Sequence, residues 1–248
     1  MEVKLLGHTN VDPYYLASYA ARLCYEGKLP KWGEKLPLKK GLFEKGHHTP
    51  FEHFSMNYTI EGTSVWDVTS GLHLCHPFYN TCQRSGRYCI EMFQDNSAFV
   101  KIESYIKKFW PHVSPQILIE VMEYVRKAKD IYEENIDNAT FLSEKFINEE
   151  RPRAGNEVIK NIPKFAQEQS RVLIPLIFPT ALLFTIDIIT LVSMYETAWS
   201  PGMRYATDEM VRLFVEKFPN CDFLFDEKRR RSGDWTIPFD SDKDICHA

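Results

Sequence analysis

Apolar and polar residues alternate weakly over residues 2–6, which predicts a short strand. Over residues 12–27 the apolar positions Leu16, Ala17, Ala20, Ala21 and Cys24 recur three and four apart, predicting a helix with Pro13 in its first turn and Gly27 as its stop. A Pro-, Gly- and Lys-rich loop follows, then a short helix or turn around residues 42–45. Residues 54–70 are dense in β-branched and aromatic side chains and predict strands. The longest periodic stretch is 115–150, where Ile117, Leu118, Val121, Tyr124, Val125, Ala128, Ile131 and Tyr132 fall on one helical stripe. Further helices are predicted over about 157–170, over the apolar run 172–195 and over 206–218. That run approaches the length of a membrane span, but Pro175, Pro179 and Asp187 interrupt it, so a buried core segment is expected and no membrane association. With no internal repeat and no Ser/Gly-rich linker, residues 1–248 are expected to form a single domain, with a polar tail from about residue 222 that carries EKRRRSGD.

Composition narrows the class of partner. The 248 residues are 44% hydrophobic and 26% charged, ordinary for a globular chain. A formal net charge of −4 argues against binding a nucleic-acid polymer and still allows a local basic site for one phosphorylated small molecule. The opening MEVKLLG has no signal-peptide pattern, and the six cysteines (Cys24, Cys75, Cys82, Cys89, Cys221, Cys246) are expected as reduced thiols, so a cytoplasmic location is expected. Cys75 and Cys82 are expected to be small buried residues rather than catalytic ones.

Three stretches carry candidate chemistry. GHHTPFEH (46–53) packs His47, His48, His53 and Glu52 around a proline. On local grounds it could hold zinc with help from His73, Cys75 and His76, or be a turn in which Thr49 and Glu52 cap the next element. The cysteines at 75, 82 and 89 recur every seven residues, a spacing that matches no standard zinc site. CQRSGRYC (82–89) offers two guanidinium forks at Arg84 and Arg87, the Ser85 hydroxyl, and Gly86, which lets backbone N–H groups approach an anion. QEQSRVLIP (167–175) sets Arg171 at the start of the apolar run, where its charge must be paired or face a ligand at the rim of the core; Arg204 in GMRYATDEMVR poses the same choice. No dinucleotide fingerprint, Walker loop or G-x-S-x-G elbow is present.

In order, these pieces resemble the flavin-dependent thymidylate synthase family. VKLLGHTNVDPYYLASYAARLCY is similar to that family's opening strand, D-P turn and A-A-R-x-C-Y helix; LFEKGHHTPFEH resembles its H-x-[ST]-x-[FV]-E-H segment; NTCQRSGRY resembles the second half of its R-H-R-x7-S-x-R signature; and EQSRVLIP resembles its A-R-x-x-L-P stretch. The four matches cover roughly residues 3–90 and 164–185. The resemblance implies an α/β (α+β) fold, an antiparallel sheet core flanked by long helices, assembled as a homotetramer. It implies methylation of dUMP at C5 to dTMP with methylenetetrahydrofolate as carbon donor, FAD as hydride carrier and NADPH as reductant, with no cysteine nucleophile needed.

By the same resemblance His47, Thr49, Glu52 and His76 contact the flavin, and Ser85, Gly86, Arg87, Tyr88 and Arg171 hold the nucleotide. Arg87 and Arg171 are then the catalytic candidates, since an arginine near the uracil carbonyl can stabilise the enolate that develops as C5 acts as nucleophile. The chain also departs from the pattern. Cys75-His76-Pro77 stands for R-H-R, Gln83 for a glutamate, Asp187-Ile188-Ile189 for N-x-R, and AWSPGMRYA is the nearest counterpart of A-Q-x-E-[IL]. Each lost arginine removes charge-assisted bonds worth about 1.5–3 kcal/mol; Arg84, Arg204 and the Lys39–Lys40 pair are candidates to replace them. The alternatives are a relative that transfers a one-carbon unit such as hydroxymethyl to another pyrimidine nucleotide, and a non-catalytic nucleotide-binding paralogue.

Overall fold

Three helices begin on a short polar residue followed by proline, a pairing that supplies a side-chain acceptor for an orphan N–H and a preset φ. Asp12 accepts from Tyr15 N at 2.8 Å and opens α1 (Pro13–Tyr25); Ser114 accepts from Ile117 N at 3.2 Å and opens the long helix Pro115–Glu150; Ser200 accepts from Met203 N at 3.2 Å and opens Pro201–Lys217. The computed structural model describes residues 1–26, 28–34, 40–72, 79–85, 93 and 95–230. Its elements in chain order are β1 (Glu2–His8), α1, α2 (Lys40–Glu44), β2 (Ser55–Ser64), the single turn α3 (Val65–Asp67), β3 (Tyr79–Gln83), α4 (Ser97–Phe109), α5 (Pro115–Glu150), α6 (Asn156–Lys160), α7 (Ile162–Ser170), β4 (Pro179–Asp187), α8 (Ile188–Thr197) and α9 (Pro201–Lys217). No helix among the described residues is long and apolar enough to cross a membrane.

The chain divides into two compact units, Met1–Cys82 with Ala181–Ala248, and Gln83–Thr180. The first is organised by a four-stranded sheet of order β1-β2-β4-β3, in which β1 and β2 run antiparallel from Glu2 opposite Glu61 to His8 opposite Met56. Met56, Tyr58 and Ile60 of β2 and Leu182, Phe184 and Ile186 of β4 alternate with more exposed neighbours and turn into a core shared with α8 and α9. Asp67 is 1% exposed; its carboxylate accepts from Ser64 Oγ and from Ser200 Oγ, each at 2.8 Å, and so ties the cap of α3 to the cap of α9. In the second unit Ala98, Ile102 and Ile106 of α4 pack with Met122, Val125 and Tyr132 of α5 and with Ile174 and Phe178.

Several expectations change. The apolar run is not one helix: Pro179–Asp187 is a strand and only Ile188–Thr197 is helical, because the run alternates in burial up to Ile186 and Asp187 then caps α8 by accepting from Thr190 N at 2.6 Å. The strand expected over 54–70 ends at Ser64, whose hydroxyl accepts from Asp67 N at 3.0 Å and starts a helical turn; the S-x-x-D spacing carries that signal. The segment expected to open a polar tail folds as 3-10 turns, Pro219–Leu224 and Glu227–Arg229, that bury Cys221 and Leu224 in the first unit's core. Burial there pushes the Cys221 thiol up to about 12, with the charges of Asp12 and Asp222 adding to it. Cys82, expected to be buried, is exposed, while Cys75 lies outside the described residues.

Candidate functional site

The turn 43–53 is built from its glycine outward. Gly46 has φ +82°, a left-handed value that reverses the chain after α2, with Gly46 N donating to Phe43 O at 3.0 Å and His48 N donating to Gly46 O at 3.1 Å. Thr49–Phe51 then forms one 3-10 turn whose Pro50 and Phe51 are buried, while Thr49, Glu52 and His53 stay exposed. The apolar pair nails the turn to the core and its polar side chains face outward. No side chain caps this turn, so the capping reading of Thr49 and Glu52 falls. His47 is half-buried, with Nδ1 3.3 Å from Tyr25 Oη and the two rings edge-on at 5.6 Å; the end of the A-A-R-x-C-Y helix thus meets the motif. His48 Nε2 lies 3.2 Å from Phe43 O. Among the described residues no group of three or more His, Cys, Asp and Glu side chains could hold a metal ion, and His73, Cys75 and His76 lie outside them.

Beside the turn, still within the first unit, lies a half-open cavity of about 540 Å3. Helix α8 presents Ile189, Val192, Ser193 and Glu196 to it, spaced three, four and seven along one face. Phe43, Glu44, Gly46 and His48 come from the turn, and Arg229 comes from the C-terminal 3-10 turns. Arg229 Nη2 donates to Leu224 O at 2.6 Å, its Nε lies 3.3 Å from Glu196 Oε1, and its guanidinium stacks 4.9 Å from the Phe43 ring centre. Its lining is mixed: Phe43, Ile189 and Val192 give apolar surface, and Glu44, His48, Ser193, Glu196 and Arg229 give polar and charged groups; His47, Thr49 and Glu52 are not among the lining residues. Ile189, where the resemblance implies an arginine, is one of the apolar walls.

The nucleotide-side candidates fall in the second unit. Arg84 is exposed and Ser85 half-buried just past β3; Gly86, Arg87 and Tyr88 lie outside the described residues. Arg171 opens the 3-10 turn Arg171–Leu173 directly after the buried Ser170 and is exposed. No ion pair of Arg171 exists among the described residues, so of the two readings of its charge, paired or facing outward, the paired one falls. Arg204 sits half-buried on α9, and its charge acts on Asp208, whose carboxyl is raised by burial despite Arg230 beside it. The flavin-side residues His47, Thr49 and Glu52 therefore share one turn, and Arg84, Ser85 and Arg171 share the other unit. The sequence reading assigned no role to Tyr25, Phe43, Glu196 or Arg229. Tyr25 ends the A-A-R-x-C-Y match and Phe43 lies within LFEKGHHTPFEH, whereas Arg229 was hidden in a basic run that reads as tail.

A family model described as "Thymidylate synthase complementing protein" matches residues 4–220. The flavin-dependent thymidylate synthase of Clostridium tetani is 28% identical over 207 residues, covering 79% of this chain and 73% of that protein. Among solved structures, two of the flavin-dependent thymidylate synthase of Helicobacter pylori, both with FAD and dUMP, are similar at a TM-score of 0.56 and 16% identity. They span 93% and 94% of this chain and all of theirs, and the likeness establishes the fold.

Proposed function

The chain belongs to the thymidylate synthase complementing protein family, a family of enzymes, and from that premise we propose that it methylates dUMP at C5 to give dTMP. FAD is the resident cofactor in this reading, methylenetetrahydrofolate the carbon donor and NADPH the reductant. The observation that supports it is that the turn carrying His47, Thr49 and Glu52 borders, through Phe43, Gly46 and His48, a cavity of about 540 Å3 in which Phe43, Ile189 and Val192 offer apolar surface for a flavin ring. Bound there, the flavin supplies the hydride that completes the methyl group.

The chain's own residues bind and orient. Phe43, Ile189 and Val192 exclude water from a planar ligand, and Ser193 and His48 offer hydrogen-bond partners at the rim. His47, braced by Tyr25, and the outward-facing Thr49 and Glu52 complete the flavin side, and His76 belongs to the same set. Arg171, exposed at the head of its 3-10 turn, is free to meet an anion; with Ser85, Gly86, Arg87 and Tyr88 it holds the dUMP phosphate and base. Arg87 and Arg171 then stabilise the charge that builds on the uracil oxygen as C5 attacks the donor carbon. A single domain over residues 1–248, a homotetramer and a cytoplasmic location belong to the same proposal. Exposed Phe141, Leu142 and Phe146 on α5 support an assembly that covers them.

A second reading, one-carbon transfer to another pyrimidine nucleotide, is favoured by one observation: Ile189 leaves an apolar wall where an arginine is implied. The purified protein should be yellow or take up FAD, and should release tritium from [5-3H]dUMP with methylenetetrahydrofolate and NADPH. Release from dCMP or UMP instead selects the second reading. A protein that no added FAD tints and that turns over none of the three is a non-catalytic nucleotide binder. Arg171→Ala should weaken dUMP binding at least about tenfold by titration calorimetry, one charge-assisted bond; unchanged affinity refutes its placement.

A further inference from the structure

The cavity beside the turn has an unusual charge balance for a site that is to receive a phosphate-bearing cofactor. Two carboxylates line it, Glu44 and Glu196, and His48 and Arg229 are the basic groups. On α8 the position nearest the start of the lining face is Ile189, so that helix brings no cation of its own among the four residues it presents. Left alone, Glu196 would put a second negative charge against any anion entering.

Arg229 meets that charge from the far end of the sequence. Its Nε stands 3.3 Å from Glu196 Oε1, its Nη2 donates to Leu224 O at 2.6 Å, and its guanidinium carbon lies 4.9 Å from the ring centre of Phe43, whose carbonyl accepts from Gly46 N. The segment that delivers it is well fixed. Cys221 and Leu224 are buried, Phe223 packs edge-on against Phe43 and Phe51 at 6.4 and 6.5 Å, and the neighbouring Arg230 stacks 4.1 Å over Tyr195 and donates to the Tyr195 carbonyl. A guanidinium suits this double task, since its charge acts on a nearby carboxylate, here as an ion pair without a hydrogen bond from Nε, while its body packs against a ring.

We propose that Arg229 is the positioning residue that adapts this cavity to an anionic flavin nucleotide: from the C-terminal segment it offsets the charge of Glu196 and holds Phe43 in place. The inference rests on the flavin reading above and assigns that site a residue outside the motifs that resemble the family. It commits the cavity to a ligand that carries phosphate, because a neutral ring alone gains nothing from cancelling Glu196.

Arg229→Gln keeps length and planarity and removes the charge. Titrated by flavin fluorescence, it should bind FAD about tenfold more weakly than wild type, the loss of one charge pairing, while riboflavin, which has no phosphate, changes by less than about threefold. Adding Glu196→Gln in the same chain removes the carboxylate that Arg229 cancels, and should restore most of the FAD affinity. Equal losses for FAD and riboflavin with no recovery in the double variant, or unchanged FAD binding in the single one, overturn the proposal. Wild type that binds neither ligand sinks the flavin reading instead. The clamp is then read by amide exchange over residues 40–48, which should quicken in Arg229→Gln, and unaltered exchange there refutes the role of Arg229. If Arg229→Gln does not fold, Arg229→Lys keeps the charge and loses the guanidinium's contact with Phe43; it should retain FAD affinity within about threefold while its 40–48 amides exchange faster, and a tenfold loss of FAD affinity counts against the charge role.

Discussion

The two compact units solve burial differently. In the first, sheet, helices and C-terminal turns enclose a core in which Phe54, Phe214, Phe218 and Phe225 meet, edge to face except for the tilted pair Phe214 and Phe218, with Phe214 fully buried and its ring centre 5.3–6.2 Å from those of the other three. In the second, α5 buries Met122, Val125, Ala128 and Tyr132 along its first half, yet leaves Phe141, Leu142 and Phe146 more than half exposed further on. One unit is closed by elements distant in sequence. The other is a set of helices whose faces follow from local spacing, with apolar surface to spare. The difference separates what periodicity can decide from what only tertiary packing can.

The strongest challenge to this contrast is Phe214→Ala. Removing a fully buried ring with three aromatic neighbours should cost about 3–5 kcal/mol in a urea titration; a loss below about 1.5 kcal/mol would mean the first unit is far looser than its packing implies. Next comes Gly46→Ala. A Cβ there meets nothing within 4 Å, so the expense is purely the positive φ, about 1 kcal/mol. FAD binding should weaken with it, while amide exchange in α5 stays as it was, and parallel changes in both would deny the units their separateness. The smallest effect has the opposite sign. Tyr132 is fully buried and its hydroxyl has no hydrogen-bond partner among the described residues, so burial raises its pKa and the bare O–H destabilises the folded state. Tyr132→Phe should stabilise by a few tenths to about 1 kcal/mol, read as a higher urea midpoint. A drop would reveal a partner for that hydroxyl and a better-satisfied second unit.

Legibility in the sequence follows the same division. The helix expected at 115–150 is observed at Pro115–Glu150, and α1 is found within two residues of its predicted ends, because i, i+3, i+4 spacing is a local signal; α9 ends within one residue of its predicted end but starts at Pro201, five residues early, where Ser200 caps it. The run through 172–195 misled, because continuous apolar residues suit a buried strand and a buried helix equally, and the choice fell to pairing with β2. At the site, the turn was legible as a motif, since its glycine, proline and phenylalanine are neighbours in the chain. The cavity was not: Phe43, Glu196 and Arg229 come together only through the packing of the C-terminal turns, and no spacing rule links them.

The strand order has a consequence in time. β4 lies between β2 and β3, so the sheet's inner pairings await a strand made after the whole of the second unit. During synthesis β1 and β2 can join early as an antiparallel pair, while the helices of residues 83–180 are complete before the sheet is. Closing a loop of that length is slow, and until it closes β2 presents one unpaired edge. Once residues up to Phe178 have cleared the ribosome the helical unit can be finished while the sheet still waits for β4, which makes the order of assembly a property written into the topology rather than into any single residue.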